Sequence, residues 1–444
     1  MLTMVGAQVR FSDMSEVASE PDVGRCPFLF DPLAGRELLD PYPTYAAARQ
    51  HAPVVYSETL GLWFMFRHAD VVEAIRDTET FSSQFVAAED RVADRLGRSH
   101  AEAVSHALVG GFPDESRFLL TTDAPAHHVR RKLAQQAFTP RRVSALEPLI
   151  ADRTEELCGR LASGATELMG TFAYPLTSYV IAGILGVGDQ LAERMRQVAE
   201  DLLVTQAAGR RRLDEAAAAE MITRLGRISE MHSALRDELR LRRSDPTDDV
   251  LSALATTSLA DGTSLSDPDI LAMVTELILA GTDTTANQIA HTVIYATESP
   301  ELWRSLAGNR ELTESVVEES LRRRGSSKGL LRVVTRDVEV AGTTIPAGSV
   351  VQLLYGSANH DESVFAQPRA FQPDRAGLAG HLAFGRGVHF CLGAPLARLE
   401  LRVATQVLSR RFPRLRVATD PVTYLPALTT HTIAMLEVLP GPTG

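Results

Sequence analysis

The chain has only three cysteines in 444 residues, Cys26, Cys158 and Cys391. They are too few and too scattered for a disulfide framework, so the expected setting is reducing and cytoplasmic. No uncharged apolar run approaches the roughly 18 residues of a membrane span. The first 25 residues lack the apolar core of about 7–15 residues that marks a secretory leader. Positive charge is also short. With 45 Lys+Arg against 56 Asp+Glu, the formal charge is −11, which argues against a nucleic-acid partner. Internal repeats and low-complexity linkers are missing, as are a Gly-rich dinucleotide fingerprint and a cysteine cluster for iron–sulfur chemistry. Apolar residues at 45% and charged residues at 23% are ordinary globular proportions.

Length alone suggests about three domains at ~150 residues each, yet no linker offers a place to cut. The expectation is a loose tail over 1–25, with Met14 a possible natural start, and one large domain over 26–444. Apolar residues at three- and four-residue spacing predict helices over Tyr42–Arg49, Ala69–Arg76, Arg91–Leu108, Ala126–Phe138, Val143–Ala162, Gln190–Thr205 and Asp214–Arg243. Pro140, Pro175 and Pro246 punctuate them. Strand-like runs lie within Pro53–Phe66, around a turn ending at Gly61, and within Arg332–Leu354. The fold class is mainly α, a large helix-dominated single domain with small β-hairpin sheets.

The most informative stretch runs Phe384-Gly385-Arg386-Gly387-Val388-His389-Phe390-Cys391-Leu392-Gly393. A lone cysteine sits in a glycine-rich loop that leads into a helix, where Leu396, Leu399, Val403 and Val407 share a face. Three glycines let backbone approach something flat and large. A thiolate at a helix N-terminus is held ionised by free amides and the helix dipole, which suits a metal ligand or a nucleophile. A buried apolar cysteine in a tight turn is the plainer alternative for an isolated Cys. The pattern Phe-x-x-Gly-x-x-x-Cys-x-Gly, followed by Ala394-Pro395-Leu396-Ala397-Arg398-Leu399-Glu400, instead resembles the haem-binding signature of the cytochrome P450 family in its soluble bacterial form. The resemblance spans roughly Pro27 to the C-terminus.

That resemblance implies haem b (iron protoporphyrin IX) with Cys391 as the axial thiolate, Phe384 against the ligand loop, and amides after the cysteine, including that of Gly393, tuning the sulfur. A long helix predicted over Pro268–Glu298 carries Ala280-Gly281-Thr282-Asp283-Thr284-Thr285, similar to the family's distal-helix motif. By that likeness Gly281 and its neighbours, Ala280 among them, open the helix for dioxygen. Thr284 donates a hydrogen bond at the oxygen site and Asp283 relays protons. A glycine here is otherwise a notch where another helix crosses. Glu319 and Arg322 match the family's Glu-x-x-Arg scaffold pair, with Arg375 of Phe371-Gln372-Pro373-Asp374-Arg375 as third member. His360 stands where relatives often carry arginine. His127 and Arg131 on one helical face, Arg332, and His389 match contacts to the haem propionates.

The resemblance implies a monooxygenase inserting one oxygen atom of dioxygen into a lipophilic small molecule, in natural-product tailoring such as antibiotic biosynthesis or in catabolism. Electrons would come from a ferredoxin and its reductase, with Arg386, Arg398, Arg402, Arg130 and Lys132 as a docking face. Alternatives are a non-hydroxylating oxidation at the same haem (ring formation, coupling, desaturation) and a haem-thiolate sensor without turnover. Lys328 lies near the substrate-facing loop. It either pairs with a substrate carboxylate or turns to solvent. The run Arg210-Arg211-Arg212 reads as a solvated entrance loop.

Overall fold

The computed structural model describes residues 30–84, 117–162, 167–207 and 214–441. The expected tail with Met14, Cys26, the Arg91–Leu108 helix and Arg210–Arg212 lie outside the described residues.

A 31-residue helix, Asp267–Thr297, runs through the core. At 1.5 Å per residue it is about 46 Å long. Its start is well specified: the Ser266 side chain accepts from the Asp269 backbone, the Asp269 carboxylate reaches back to the Ser266 N–H, and a proline lies in the first turn. Against it pack the helices Tyr174–Leu185 and Ala394–Arg411. The shared core includes Phe172, Leu176, Val180, Ile278, Ile289, Val293 and Leu401, all under 3% exposed.

The helices Tyr42–His51, His68–Arg76, Ala126–Ala137, Asp189–Ala207 and Glu215–Ser244 lie where their sequence patterns place them, and two other places differ. The expected Val143–Ala162 helix is two, Pro140–Ser144 and Glu147–Ala162. Pro148 has no N–H for the carbonyl four residues back, so the helix must restart there. The Tyr174–Leu185 helix was not expected. It follows a π-turn over Met169–Ala173, and Pro175 occupies its first turn, where proline starts a helix instead of ending one. Because the helix is buried on nearly every side, it shows no polar face for periodicity to reveal.

Both strand-like stretches form one five-stranded sheet. Its strands are β1 Val54–Ser57, β2 Leu62–Met65, β3 Phe81–Ser82, β4 Leu330–Val334 and β7 Val350–Leu353, in the order β1-β2-β7-β4-β3. The β1–β2 hairpin turns at Gly61, and β2 pairs parallel with β7. The segment between β4 and β7 makes a separate hairpin of β5 Val338–Val340 and β6 Thr343–Ile345. A second cluster with Val71, Ile75, Leu353, Tyr355 and Leu382 fills the space beneath the sheet. The molecule is therefore helix-dominated with small sheets. The sheet brings Arg332 on β4 towards the loop that precedes the Ala394–Arg411 helix.

Candidate functional site

The Cys391 N–H donates to the Phe384 carbonyl at 2.9 Å, closing the loop between them. Gly385 (φ +66°) and Gly387 (φ +68°) turn it through left-handed backbone that side chains resist. A 3₁₀ turn over Gly387–His389 follows, and Gly393 caps the next helix. Backbone N–H groups of Gly393 and Ala394 hydrogen-bond the Cys391 sulfur. Burial raises the thiol pKa, while those amides and the Arg131 charge oppose it. Cys391 is nonetheless accessible to solvent-sized space. The Phe384 ring lies half-buried under the Arg398 guanidinium, 4.5 Å from its centroid.

The distal helix has the same property. Ala280 is exposed in mid-helix, Gly281 and Thr284 are half-buried, and Ile278, Thr282, Asp283 and Thr285 are buried. One face of a core helix thus opens on space. The Thr284 hydroxyl donates to the Ala280 carbonyl at 2.5 Å. The buried Asp283 carboxylate accepts from Tyr174 Oη (3.1 Å), Asn287 Nδ2 (3.0 Å) and Thr432 Oγ1 (3.4 Å). Burial raises its pKa. The helix is not opened at Gly281, contrary to expectation. It stays continuous, and a Cβ on Gly281 would stand 2.5 Å from Ile181 Cδ1. Gly281 is the notch where the Tyr174–Leu185 helix crosses.

Four candidate propionate contacts come together. The rings of His127 and His389 are 4.1 Å apart, and His389 Nε2 lies 3.0 Å from Ser83 Oγ. Arg131 donates to the Phe390 carbonyl at 2.5 Å, and the buried Arg332 donates to the Leu331 carbonyl at 2.7 Å. Neither arginine makes an ion pair among the described residues. Asp123, whose charge reaches His127, is itself held by Ser82 Oγ and the Ser83 N–H. His127 Nε2 is buried without a partner. Burial lowers His127 to about 4, assisted by Arg131, and lowers His389 to about 3, assisted by His127 and Arg332. Two guanidiniums and two imidazoles gathered with no carboxylate paired to them among the described residues fit a dianionic group. A haem with its two propionates is such a group, and a thiolate donor at its centre completes the match.

The scaffold motif closes as expected. Arg322 grips both oxygens of Glu319 at 2.7 and 2.8 Å, Arg375 reaches Glu319 at 3.3 Å, and Glu319 and Arg322 are fully buried. His360 stacks on Tyr42 with centroids 3.9 Å apart, filling the place where relatives often carry arginine.

Two expectations are corrected. Lys328 faces neither substrate nor solvent: it is 2% exposed, with Nζ donating to the carbonyls of Ala427 (2.7 Å) and Pro32 (3.4 Å). The proposed docking cations are also largely engaged. Arg402 is buried and paired with Glu147 and Glu314, Arg398 grips Glu318, and Arg130 pairs with Asp269. Lys132 is exposed and Arg386 half-buried.

Sequence reasoning missed Tyr174, Asn287 and Thr432 around Asp283, and it missed Glu276. That glutamate accepts from the backbone N–H groups of Leu119 (2.7 Å) and Leu120 (2.9 Å). Its position four residues before Ala280 was the available signal, since that spacing shares a helical face.

A family model described as Cytochrome P450 matches residues 198–433. The erythromycin C-12 hydroxylase of Saccharopolyspora erythraea is 35% identical over 374 residues, covering 84% of this chain and 87% of that protein. The chain belongs to the cytochrome P450 family. The cyclomarin C epoxidase CymV of Salinispora arenicola is 33% identical over 383 residues, 85% of this chain and 90% of that one. The structure of cytochrome P450 CYP109Q5 from Chondromyces apiculatus superposes with a TM-score of 0.78 at 29% identity, covering 92% of this chain and 97% of that chain. As a cytochrome P450 the protein is a haem-iron monooxygenase that uses dioxygen on a lipophilic substrate. Among the described residues, no helix is long and apolar enough to cross a membrane.

Proposed function

We propose that haem b is held between the Cys391 loop and the Ala280–Thr284 face of the distal helix, within one domain over 26–444. Cys391 would ligate the iron, with the amides of Gly393 and Ala394 on its sulfur and Phe384 bracing the loop. His127, Arg131, Arg332 and His389 would hold the propionates. The observation that carries this reading is the gathering of those four groups with no carboxylate paired to them among the described residues, and with His127 Nε2 unpartnered in their midst.

Haem with a thiolate ligand supplies cleavage of the O–O bond. Overall, dioxygen with two electrons and two protons yields one inserted oxygen atom and one water. The protein's task is to bring substrate and protons to the open face. Ala280, with only a methyl group, leaves room there. Thr284 presents a hydroxyl at that face by rotating away from the Ala280 carbonyl. Asp283, anchored by Tyr174, Asn287 and Thr432, is the acid adjacent to it in sequence, and burial raises its pKa, the direction that favours a proton donor.

The reading extends to natural-product tailoring in the cytoplasm, which is supported by relatives named for hydroxylation and epoxidation of such compounds. Electrons would arrive from a ferredoxin and its reductase, docking near Lys132 and Arg386. The test is the ferrous carbonyl spectrum of the holoprotein. Wild type is expected to show the long-wavelength Soret band of a thiolate ligand, and Cys391→His to lose it while retaining haem. An unchanged band in Cys391→His would sink the assignment.

A further inference from the structure

We propose that Glu276 makes this pocket select lipophilic substrates that carry a positively charged amine, by pairing its carboxylate with that cation. The inference rests on the haem-thiolate reading above and adds the substrate's charge to it.

Glu276, Ala280 and Thr284 are spaced four apart on the open face of the distal helix. Glu276 stands one turn, about 6 Å, from Ala280. Glu276 is half-buried, and its charge reaches both Cys391 and Arg131, which places it at the same site. Its carboxylate takes two backbone N–H groups, from Leu119 and Leu120. A carboxylate offers about four acceptor sites, so roughly half its capacity is left.

The charge balance gives the direction. No Lys, Arg or His pairs with Glu276 among the described residues, and the one cation whose charge reaches it is that of Arg131. On the reading above, Arg131 serves a propionate. With haem in place Glu276 is a buried carboxylate without a counter-charge, and burial pushes its pKa up to about 7. An incoming ammonium restores the balance that water would otherwise supply. The other acid of this region, Asp283, already holds three donors. Lys328, the cation considered for acidic substrates, is fixed on main-chain carbonyls. The pocket therefore offers a negative group to substrate and no free positive one among the described residues.

The test uses ferric holoprotein titrated with decyltrimethylammonium, decanol and decanoate below their micelle concentrations. Binding is read by calorimetry and by the low-spin to high-spin Soret shift. A quaternary ammonium has no lone pair to ligate iron. Wild type is expected to bind the ammonium about tenfold tighter than the alcohol, with decanoate weakest. Glu276→Gln is expected to bring the ammonium-to-alcohol ratio to about one. Equal affinities or the reverse order in wild type would overturn the proposal, whatever the variant does. So would a Glu276→Gln protein that weakens all three probes in equal proportion, since the carboxylate would then only anchor the Leu119–Leu120 backbone. Failure of the haem-thiolate reading shows separately, as a wild-type ferrous carbonyl spectrum without the thiolate band.

Discussion

Two knots of buried charge lie on either side of the Cys391 loop, and they differ in one respect. In the first, Glu319 is held by Arg322 and Arg375, and the remaining guanidinium N–H groups find the carbonyls of Asn359, Pro368 and Ala370. Both guanidiniums share a carboxylate supplied by the chain itself. In the second, Arg131, Arg332, His127 and His389 converge with carbonyl and hydroxyl partners, and among the described residues no carboxylate pairs with them and one imidazole nitrogen has no partner. Desolvating cations without compensation is costly, so a chain that does it is built around something it must bind. The closed knot is scaffold and the open one is a binding site. Each contains two arginines, and a carboxylate paired with both of them is present in the first and not among the described partners in the second.

The largest effect should come from breaking the closed knot. Glu319→Gln leaves two buried guanidiniums facing a neutral amide, a change that costs about 3–5 kcal/mol in comparable sites. The expected outcome is a urea midpoint far below wild type and little haem incorporated. An unchanged midpoint would show that the knot is dispensable and that the contrast drawn here has no energetic content. Breaking the open knot should act differently. His127→Ala with Arg131→Ala removes two hydrogen bonds to charged groups at about 1.5–3 kcal/mol each when haem is bound, and removes uncompensated polar groups when it is not. Haem transfer to an apo-globin acceptor should accelerate by at least about a hundredfold. The apoprotein's unfolding midpoint should stay put or rise. A fall in apoprotein stability matching that of Glu319→Gln would place the two knots in one class.

How far the sequence reveals these sites follows from the range of the interactions. The cysteine loop is legible because its requirements are local: positive φ at Gly385 and Gly387, and a free helix end after Gly393. The helices and the two strand regions show in periodicity for the same reason. Two of the three partners of Asp283 do not show, because Tyr174 is 109 residues before it and Thr432 is 149 after. Gly281 is ambiguous for a related cause: a cavity and a helix crossing both favour glycine, and only the position of Ile181 decides between them. The Arg402 side chain reads as a surface cation, yet Glu147 and Glu314 draw it into the core. Resemblance to the family supplied the Glu319–Arg322–Arg375 knot, which spacing alone leaves as an ordinary surface pair.

Lys328 falls between the two knots and gives the finest test of the comparison. It is buried with two carbonyl acceptors and no carboxylate among the described residues, and burial holds its pKa down to about 8 against an ordinary 10.5. A lysine depressed on folding binds fewer protons folded than unfolded between those two values. Stability therefore rises with pH from about 8 to 10.5, by at most about 1.4 kcal/mol per unit from this group, and the full penalty of charging it applies below 8. Lys328→Met removes the titration and leaves two carbonyls without a donor, so at neutral pH its net effect should lie within about 1 kcal/mol of zero. The informative quantity is the difference in unfolding free energy between wild type and variant measured at several values from pH 7 to 10. That difference should shift in favour of wild type as pH rises. A constant difference would mean that Lys328 carries a normal pKa through an anion that compensates it, which would move it from the intermediate class to the closed one.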